Sequence, residues 1–132
     1  MSATDPIADL FTRVRNAAMG GRKHTDMPHS TLKEAVCGVL AREGFLREVQ
    51  VTEVEGRKRL RAYLRLDEDG RSVITRIERV SRPGCRVYKK ASDVERVLRG
   101  LGIGVYSTPR GLLTDAQCRE QKIGGEYVGR VW

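Results

Sequence analysis

Glu48-Val-Gln-Val-Thr-Glu-Val-Glu-Gly-Arg-Lys-Arg-Leu-Arg-Ala-Tyr-Leu-Arg-Leu66 is the stretch whose reading decides the fold. Val49 and Val51 alternate with Glu48, Gln50 and Thr52. After Glu55-Gly56, Leu60, Ala62, Leu64 and Leu66 alternate with Arg59, Arg61, Tyr63 and Arg65. A period of two sends successive side chains to opposite faces, so the stretch predicts two antiparallel strands joined by a tight turn, with one apolar face. The other face carries a basic row, which fits either a solvated face or a polyanion surface.

Upstream, the period changes from two to about 3.6. Ile7, Leu10, Phe11, Val14 and Ala18 follow Asp5-Pro6 at helical spacing. Asp5 suits the cap of that helix, Pro6 its first position and Gly20-Gly21 its end. Arg13, Arg15 and Asn16 fall on or beside its polar side, where a solvated face is the default. A short strand is predicted over Thr25–Pro28, then a second helix from Ser30 or Thr31. Thr31 and Glu34 have capping-box spacing, Leu32, Ala35, Val36, Val39 and Leu40 form the apolar stripe, and Gly44 is the stop.

Downstream, Asp67-Glu-Asp-Gly-Arg71 is polar and turn-forming, and marks the expected domain boundary. This divides the chain into residues 1–67 and 72–132. The run 73–80 reads equally as helix or strand. Ser81-Arg-Pro-Gly84 reads as a turn, Arg86–Lys89 as a short strand, and Ser92 with Glu95 as the cap of a brief helix closed by Gly100. Ile103, Val105 and Ser107 alternate as a strand. Thr114 with Gln117 caps a helix ending near Gly124-Gly125, and residues 127–132 form a last strand.

The chain's 132 residues carry 25 Lys and Arg against 17 Asp and Glu, a net charge of +8 with a pI near 9.9. An excess of that size on so small a chain points to a polyanion partner. No window approaches the roughly 20 apolar residues of a membrane span, so no membrane partner is expected. Met1-Ser-Ala-Thr-Asp-Pro6 lacks the basic and apolar regions of a secretory signal. Cys37, Cys85 and Cys118 are far apart and lack a Cys-x-x-Cys pair, so they read as free thiols of a reducing cytosol, with no metal and no cofactor expected.

Enzyme motifs fail one after another. Gly-Lys, which a phosphate-binding P-loop requires, occurs nowhere. Gly100, Gly102 and Gly104 have the wrong spacing for a dinucleotide turn and precede a strand. Ser107 is not in a Gly-x-Ser-x-Gly elbow, and nothing places His24 or His29 beside it. RNA makes better use of the same residues. Ser107 and Thr108 bring short hydroxyls, and Gly102, Gly104 and Gly111 permit close backbone approach. Gly124-Gly125-Glu126 forms a second small loop, in which the carboxylate reads either as an acceptor for RNA amino or hydroxyl groups or as a structural contact. Arg76, Arg79, Arg82, Arg86, Lys89 and Lys90 surround Tyr88, a composition suited to phosphate contact and base stacking.

These motifs, in this order, resemble bacterial small-subunit ribosomal protein eight over nearly the whole chain. The resemblance is carried by Asp5–Asn16, Met27–Lys33, Glu43–Phe45, Arg79–Lys89, Gly100–Ile103, Ser107-Thr108, Gly111–Asp115 and Gly124–Glu126. It implies an α+β fold of two small domains packed together, the first with helices on a short sheet and the second mainly β with short helices. It resolves the run 73–80 as a strand. It also implies a non-enzymatic, cytoplasmic protein that binds the central domain of 16S rRNA and helps assemble the platform of the 30S subunit. The resemblance places Ser107, Thr108, Gly124, Gly125, Glu126, Tyr88 and Lys89 on the main RNA surface, which Arg82 and Arg86 of the basic run would join, with backbone contacts from Asp5, Arg13, Pro28 and Lys33. Small-subunit proteins five and twelve would be neighbours, the protein would be a monomer outside the ribosome, and a second role would be that of translational repressor, since some members bind their own operon messenger and repress its translation. Pro109 departs from the family's usual serine, Glu95 from a proline, Cys85 from a larger apolar residue and Cys118 from an alanine.

Overall fold

The computed structural model describes residues 4–132, so Met1, Ser2 and Ala3, at the start of the segment read against a secretory signal, lie outside the described residues. The chain falls into two compact units, one spanning Pro6–Thr75 and the other Arg76–Trp132 together with Asp5. The architecture is α+β, with helices and two antiparallel sheets.

In the first unit, helices α1 (Pro6–Met19) and α2 (Thr31–Arg42) accompany a sheet of strands β1 (His24–Pro28), β2 (Leu46–Val54) and β3 (Arg57–Leu64), with β3 central. Of the helical spacing read for α1, Ile7, Leu10, Phe11 and Val14 are buried as expected, but the stripe ends on Ala17, and Ala18 is only half-buried. Leu60, Ala62 and Leu64 of β3 and Met27 of β1 complete the core from the sheet. Glu55 (φ +52) and Gly56 (φ +76) both take positive φ, the turn whose twist matches paired antiparallel strands. The apolar face predicted for the hairpin is buried along β3 but fades along β2, an edge strand, where Val51 and Val54 are exposed.

The start of α2 differs from the expected capping box. Ser30 is the cap, extended at φ −146, with Oγ accepting from Lys33 N at 3.1 Å. Thr31 is already helical, and Glu34 turns instead to His29 Nε2 at 2.7 Å. The buried stripe shifts accordingly: Leu32 and Ala35 are exposed, whereas Lys33, Val36, Cys37, Val39 and Leu40 face inward. Burial pushes the Cys37 thiol up to about 12, so it stays protonated and unreactive at neutral pH.

In the second unit, strands β4 (Ile77–Arg79), β6 (Ile103–Thr108), β7 (Gly111–Thr114) and β8 (Gly125–Val131) run in the order β4-β8-β6-β7, and β5 (Tyr88–Lys89) pairs with the start of β8. The run 73–80 is strand only over 77–79. Helix α3 (Asp115–Gln121) begins with the predicted capping box: Thr114 Oγ1 accepts from Gln117 N at 3.2 Å and Gln117 Oε1 from Thr114 N at 2.9 Å. Val94, Tyr106, Leu113 and Cys118 form a small core with Ile123 and Tyr127, and the rings of Tyr106 and Tyr127 stack at 4.5 Å. Burial raises both tyrosine hydroxyls and the Cys118 thiol above their ordinary values.

The helix expected from Ser92 does not form. Short 3-10 turns at Ala91–Asp93 and Leu98–Gly100 flank extended Val94 and Val97, and no side chain caps either turn. Val94 and Val97 are both buried, and seating these β-branched side chains outweighs the local capping signal. No helix among the described residues is long and apolar enough to cross a membrane.

Candidate nucleic-acid interface

The site grows from the register of β8. Glu126 pairs with Tyr88 of β5 on one side and with Ser107 of β6 on the other, and Gly125 pairs with Lys89. Directly opposed residues on antiparallel strands direct their side chains to the same face. Tyr88, Glu126 and Ser107 therefore line up across three strands, with Lys89 on the next rung. Tyr88 is 69% exposed, so its ring stands clear of the core. Ser107 and Lys89 are exposed, and among the described residues the Ser107 hydroxyl makes no hydrogen bond. The neighbouring pair Tyr106–Tyr127 packs instead into the core.

The two glycines of the second loop explain how the strands come so close. A Cβ on Gly124 would run into the Lys89 carbonyl oxygen, and one on Gly125 into the Ser107 carbonyl oxygen. Side-chain-free backbone at these two positions is what lets Tyr88-Lys89 and Ser107-Thr108 share one surface. Gly102 and Gly104, read from sequence as sites of close approach for a ligand, serve the protein itself. A Cβ on Gly102 would strike the Val131 carbonyl oxygen, and one on Gly104 would crowd the Tyr106 and Tyr127 rings at 3.0 and 3.2 Å. Gly111 takes φ +95 with open space around it, as the hairpin between β6 and β7 requires.

Glu126 has protein partners. Its Oε2 accepts from Ser81 Oγ at 2.5 Å and from Arg86 Nη1 at 3.1 Å. Ser81, fully buried, accepts in turn from Val87 N at 3.1 Å. The carboxylate thus ties the start of β8 to the Ser81–Arg86 turn, and Arg86 offsets its charge. Ser81 was missed by sequence reasoning, since a serine entering a turn carries no local sign of this contact.

Thr108 is nearly buried, and its hydroxyl works within its own turn. Oγ1 donates to the Gly111 carbonyl at 2.8 Å and accepts from Arg110 N at 3.0 Å. Pro109 occupies the turn between them, where its fixed φ is compatible with the reversal. Of the two predicted hydroxyls, Ser107 faces outward and Thr108 holds the loop. Arg110, exposed at the hairpin tip with Nη1 on Gln121 at 3.2 Å, adds a cation that sequence reasoning passed over although its place beside Pro109 signals a loop tip.

The remaining predicted residues divide between the units. Arg82 is exposed in the turn closed by its bridge to Cys85. Asp5, in the second unit, faces Arg79 at 3.1 Å, and both side chains are largely covered. Arg13, Pro28 and Lys33 belong to the first unit. Arg13 donates to Asp9 and to the Asp26 carbonyl, each at 2.9 Å. Pro28 is exposed at the end of edge strand β1. Lys33 lies on the inward stripe of α2 with 6% exposure, which leaves little of it to meet a phosphate. Among the described residues no group of three His, Cys, Asp or Glu side chains could hold a metal ion.

An open sheet end carrying tyrosine, lysine and serine beside arginines has the chemistry of a surface for RNA with irregular shape. Comparison with known sequences places the chain among ribosomal proteins. Residues 5–132 match the family model described as ribosomal protein S8. The chain belongs to the ribosomal protein S8 family. It is 46% identical to the small ribosomal subunit protein uS8 of Exiguobacterium sibiricum, 43% to that of Streptococcus sanguinis and 44% to that of Streptococcus uberis, in each case over 132 residues and 100% of both chains.

Proposed function

We propose that this chain is a non-enzymatic constituent of the small ribosomal subunit in the bacterial cytoplasm, that it binds the central domain of 16S rRNA as a monomer, and that it helps assemble the platform beside small-subunit proteins five and twelve. The observation that carries the RNA reading is the Tyr88–Glu126–Ser107 rung, where three strands present an exposed ring and a free hydroxyl beside Lys89 and Arg86. Lysine and arginine supply salt-dependent attraction to phosphate. The rigid loops supply fit to one irregular site, Gly124 and Gly125 by their close packing and Glu126 by anchoring its turn.

The test is a titration of the full chain against the central-domain rRNA stem and against the same stem repaired to plain duplex, at two salt concentrations. Much tighter binding to the irregular stem that persists at the higher salt supports the proposal. Equal binding that collapses with salt sinks it. Ser107→Ala is expected to weaken the irregular stem by about 1 kcal/mol, the worth of one hydrogen bond, without changing the unfolding midpoint. Thr108→Ala is expected to weaken binding and stability together because it releases the turn, and Thr108→Ser is expected to restore both. An unchanged affinity in Ser107→Ala would remove that hydroxyl from the site.

A further inference from the structure

The basic row read along β3 is not used by the surface above. His24 pairs with Tyr63 across β1 and β3, with ring centroids 5.6 Å apart, and the Arg47 guanidinium lies 4.8 Å over the Tyr63 ring. These residues enter a cleft of about 450 Å³ whose lining also includes Lys23, Arg65 and Leu66 and contains no acidic residue. Its wall is aromatic and apolar and three permanent cations line it. Arg47 contacts Glu48 only at 3.4 Å on the exposed surface, and among the described residues Lys23 and Arg65 make no ion pair. The size falls within the roughly 300–1,000 Å³ typical of small-molecule sites.

We propose that this cleft takes an unpaired nucleotide of an RNA strand, with the base against Tyr63 and Leu66 and the phosphate on Lys23, Arg47 and Arg65. A flat base suits an aromatic surface, and a phosphate suits Lys23 and Arg65, which have no carboxylate partner among the described residues, more than Arg47, which Glu48 meets at 3.4 Å. A free nucleoside monophosphate shares that chemistry. The strand is favoured because a second cleft, of about 600 Å³, shares Lys23 and His24 and adds Arg13, Asn16 and Arg22. A following phosphate would meet Arg22 and Lys23 there, whereas Arg13 is already held by Asp9 and the Asp26 carbonyl. Asp26 lines that second cleft, but its carboxylate is held by Arg61 at 2.7 and 3.0 Å. The proposal shares with the RNA reading of the second unit only the class of ligand.

The experiment is a nuclear magnetic resonance titration of the full chain with an unstructured uridine hexanucleotide, with adenosine monophosphate and with inorganic phosphate. The hexanucleotide is expected to move Tyr63, His24 and Arg47 signals saturably, adenosine monophosphate to move the same signals at higher concentration, and phosphate to move them least. Tyr63→Leu, which keeps an apolar side chain and removes the π face, is expected to weaken hexanucleotide binding at this cleft roughly fivefold or more. Lys23→Ala with Arg65→Ala, both at exposed positions, is expected to flatten its salt dependence. Shifts at Ser107 and Tyr88 with none at Tyr63 would overturn this proposal alone. Equal shifts with phosphate would reduce the cleft to a cationic patch and overturn it, and tighter binding of adenosine monophosphate than of the hexanucleotide would overturn the strand. Movement at Tyr63 with none at Ser107 would support it while counting against the second unit as the RNA surface.

Discussion

The two units reach a folded state by different means. The first buries leucines, valines, Phe11 and Met27 between two helices and a three-stranded sheet, and its one buried charged side chain is Lys33. The second has a smaller apolar cluster around Tyr106, and buries Ser81, Thr108, Thr114 and Asp115, each within named hydrogen bonds. Its strands are brought together by glycines whose missing Cβ admits another backbone. Apolar volume tolerates modest rearrangement, whereas a backbone-to-backbone approach and a satisfied buried acceptor do not. The unit proposed to read an RNA shape is therefore the one whose geometry is set most rigidly.

The largest break in this contrast is expected from Gly125→Ala. The added Cβ meets the Ser107 carbonyl, a backbone atom that cannot rotate away. We expect a loss of about 3 kcal/mol, at the upper end of ordinary overpacking, together with loss of irregular-stem binding, because β6 and β8 must separate where Ser107 pairs with Glu126. Urea unfolding and the stem titration check it, and a variant within a few tenths of a kcal/mol of the parent would show that the strands can part without consequence.

Asp115→Ala comes next. Asp115 is 3% exposed, its Oδ1 accepts from Gly104 N at 2.9 Å, and its Oδ2 meets Arg119 at 2.8 Å. Removing it strands a buried N–H and deprives α3 of a first-turn carboxylate, at a cost of about 2 kcal/mol. Asp115→Asn, which keeps an acceptor, is expected to lose about half of that in the same urea series. Equal losses in the two variants would show that the charge, and not the hydrogen bond to Gly104, is what Asp115 contributes.

The same contrast explains what was legible in the sequence. Helix α1, the β2–β3 hairpin and the Thr114 capping box were readable because each is set by spacing within one element. The Ser92–Glu95 signal had equally good spacing and produced no helix, because Val94 and Val97 are claimed by the core. The family resemblance pointed to Ser107, Thr108 and Glu126 together, but nothing local separates the outward hydroxyl of Ser107 from the inward one of Thr108. Their roles depend on which strand lies across from each. Gly124 and Gly125 were recognisable as a loop, yet the reason for glycine lies in the carbonyls of Lys89 and Ser107, which are distant in sequence.

A smaller effect of opposite sign is expected in the first unit. Gly38 sits inside α2 at negative φ, and a Cβ there meets nothing within 4 Å. Gly38→Ala should therefore stabilise the chain by about 0.5–1 kcal/mol, by restricting the unfolded chain and improving helix propensity. Alanine is thus expected to help in one unit and to harm in the other. Destabilisation by Gly38→Ala would mean that α2 is packed as tightly as the β5–β8–β6 junction.

The smallest expected effect tests whether surface charge holds the first unit together. Asp26 on β1 faces Arg61 on β3 across one rung, with two hydrogen bonds of 2.7 and 3.0 Å, and both side chains are 38% exposed. The hydrogen bond from Arg61 holds the Asp26 carboxyl below its ordinary value of 3.8. A carboxylate whose folded value lies below its unfolded one binds its proton more readily in the unfolded chain. Its contribution is therefore complete above the unfolded value and disappears as pH falls through the folded one. The difference in urea midpoint between the parent and Asp26→Asn should be flat from neutral pH down to about 5 and shrink below about 4. It should also shrink with added salt, because exposed pairs are screened, and stay below the Gly38 effect throughout. A large difference, or one that grows as the pH falls, would mean that this ion pair, and not the apolar layer beneath it, fixes β1 against β3.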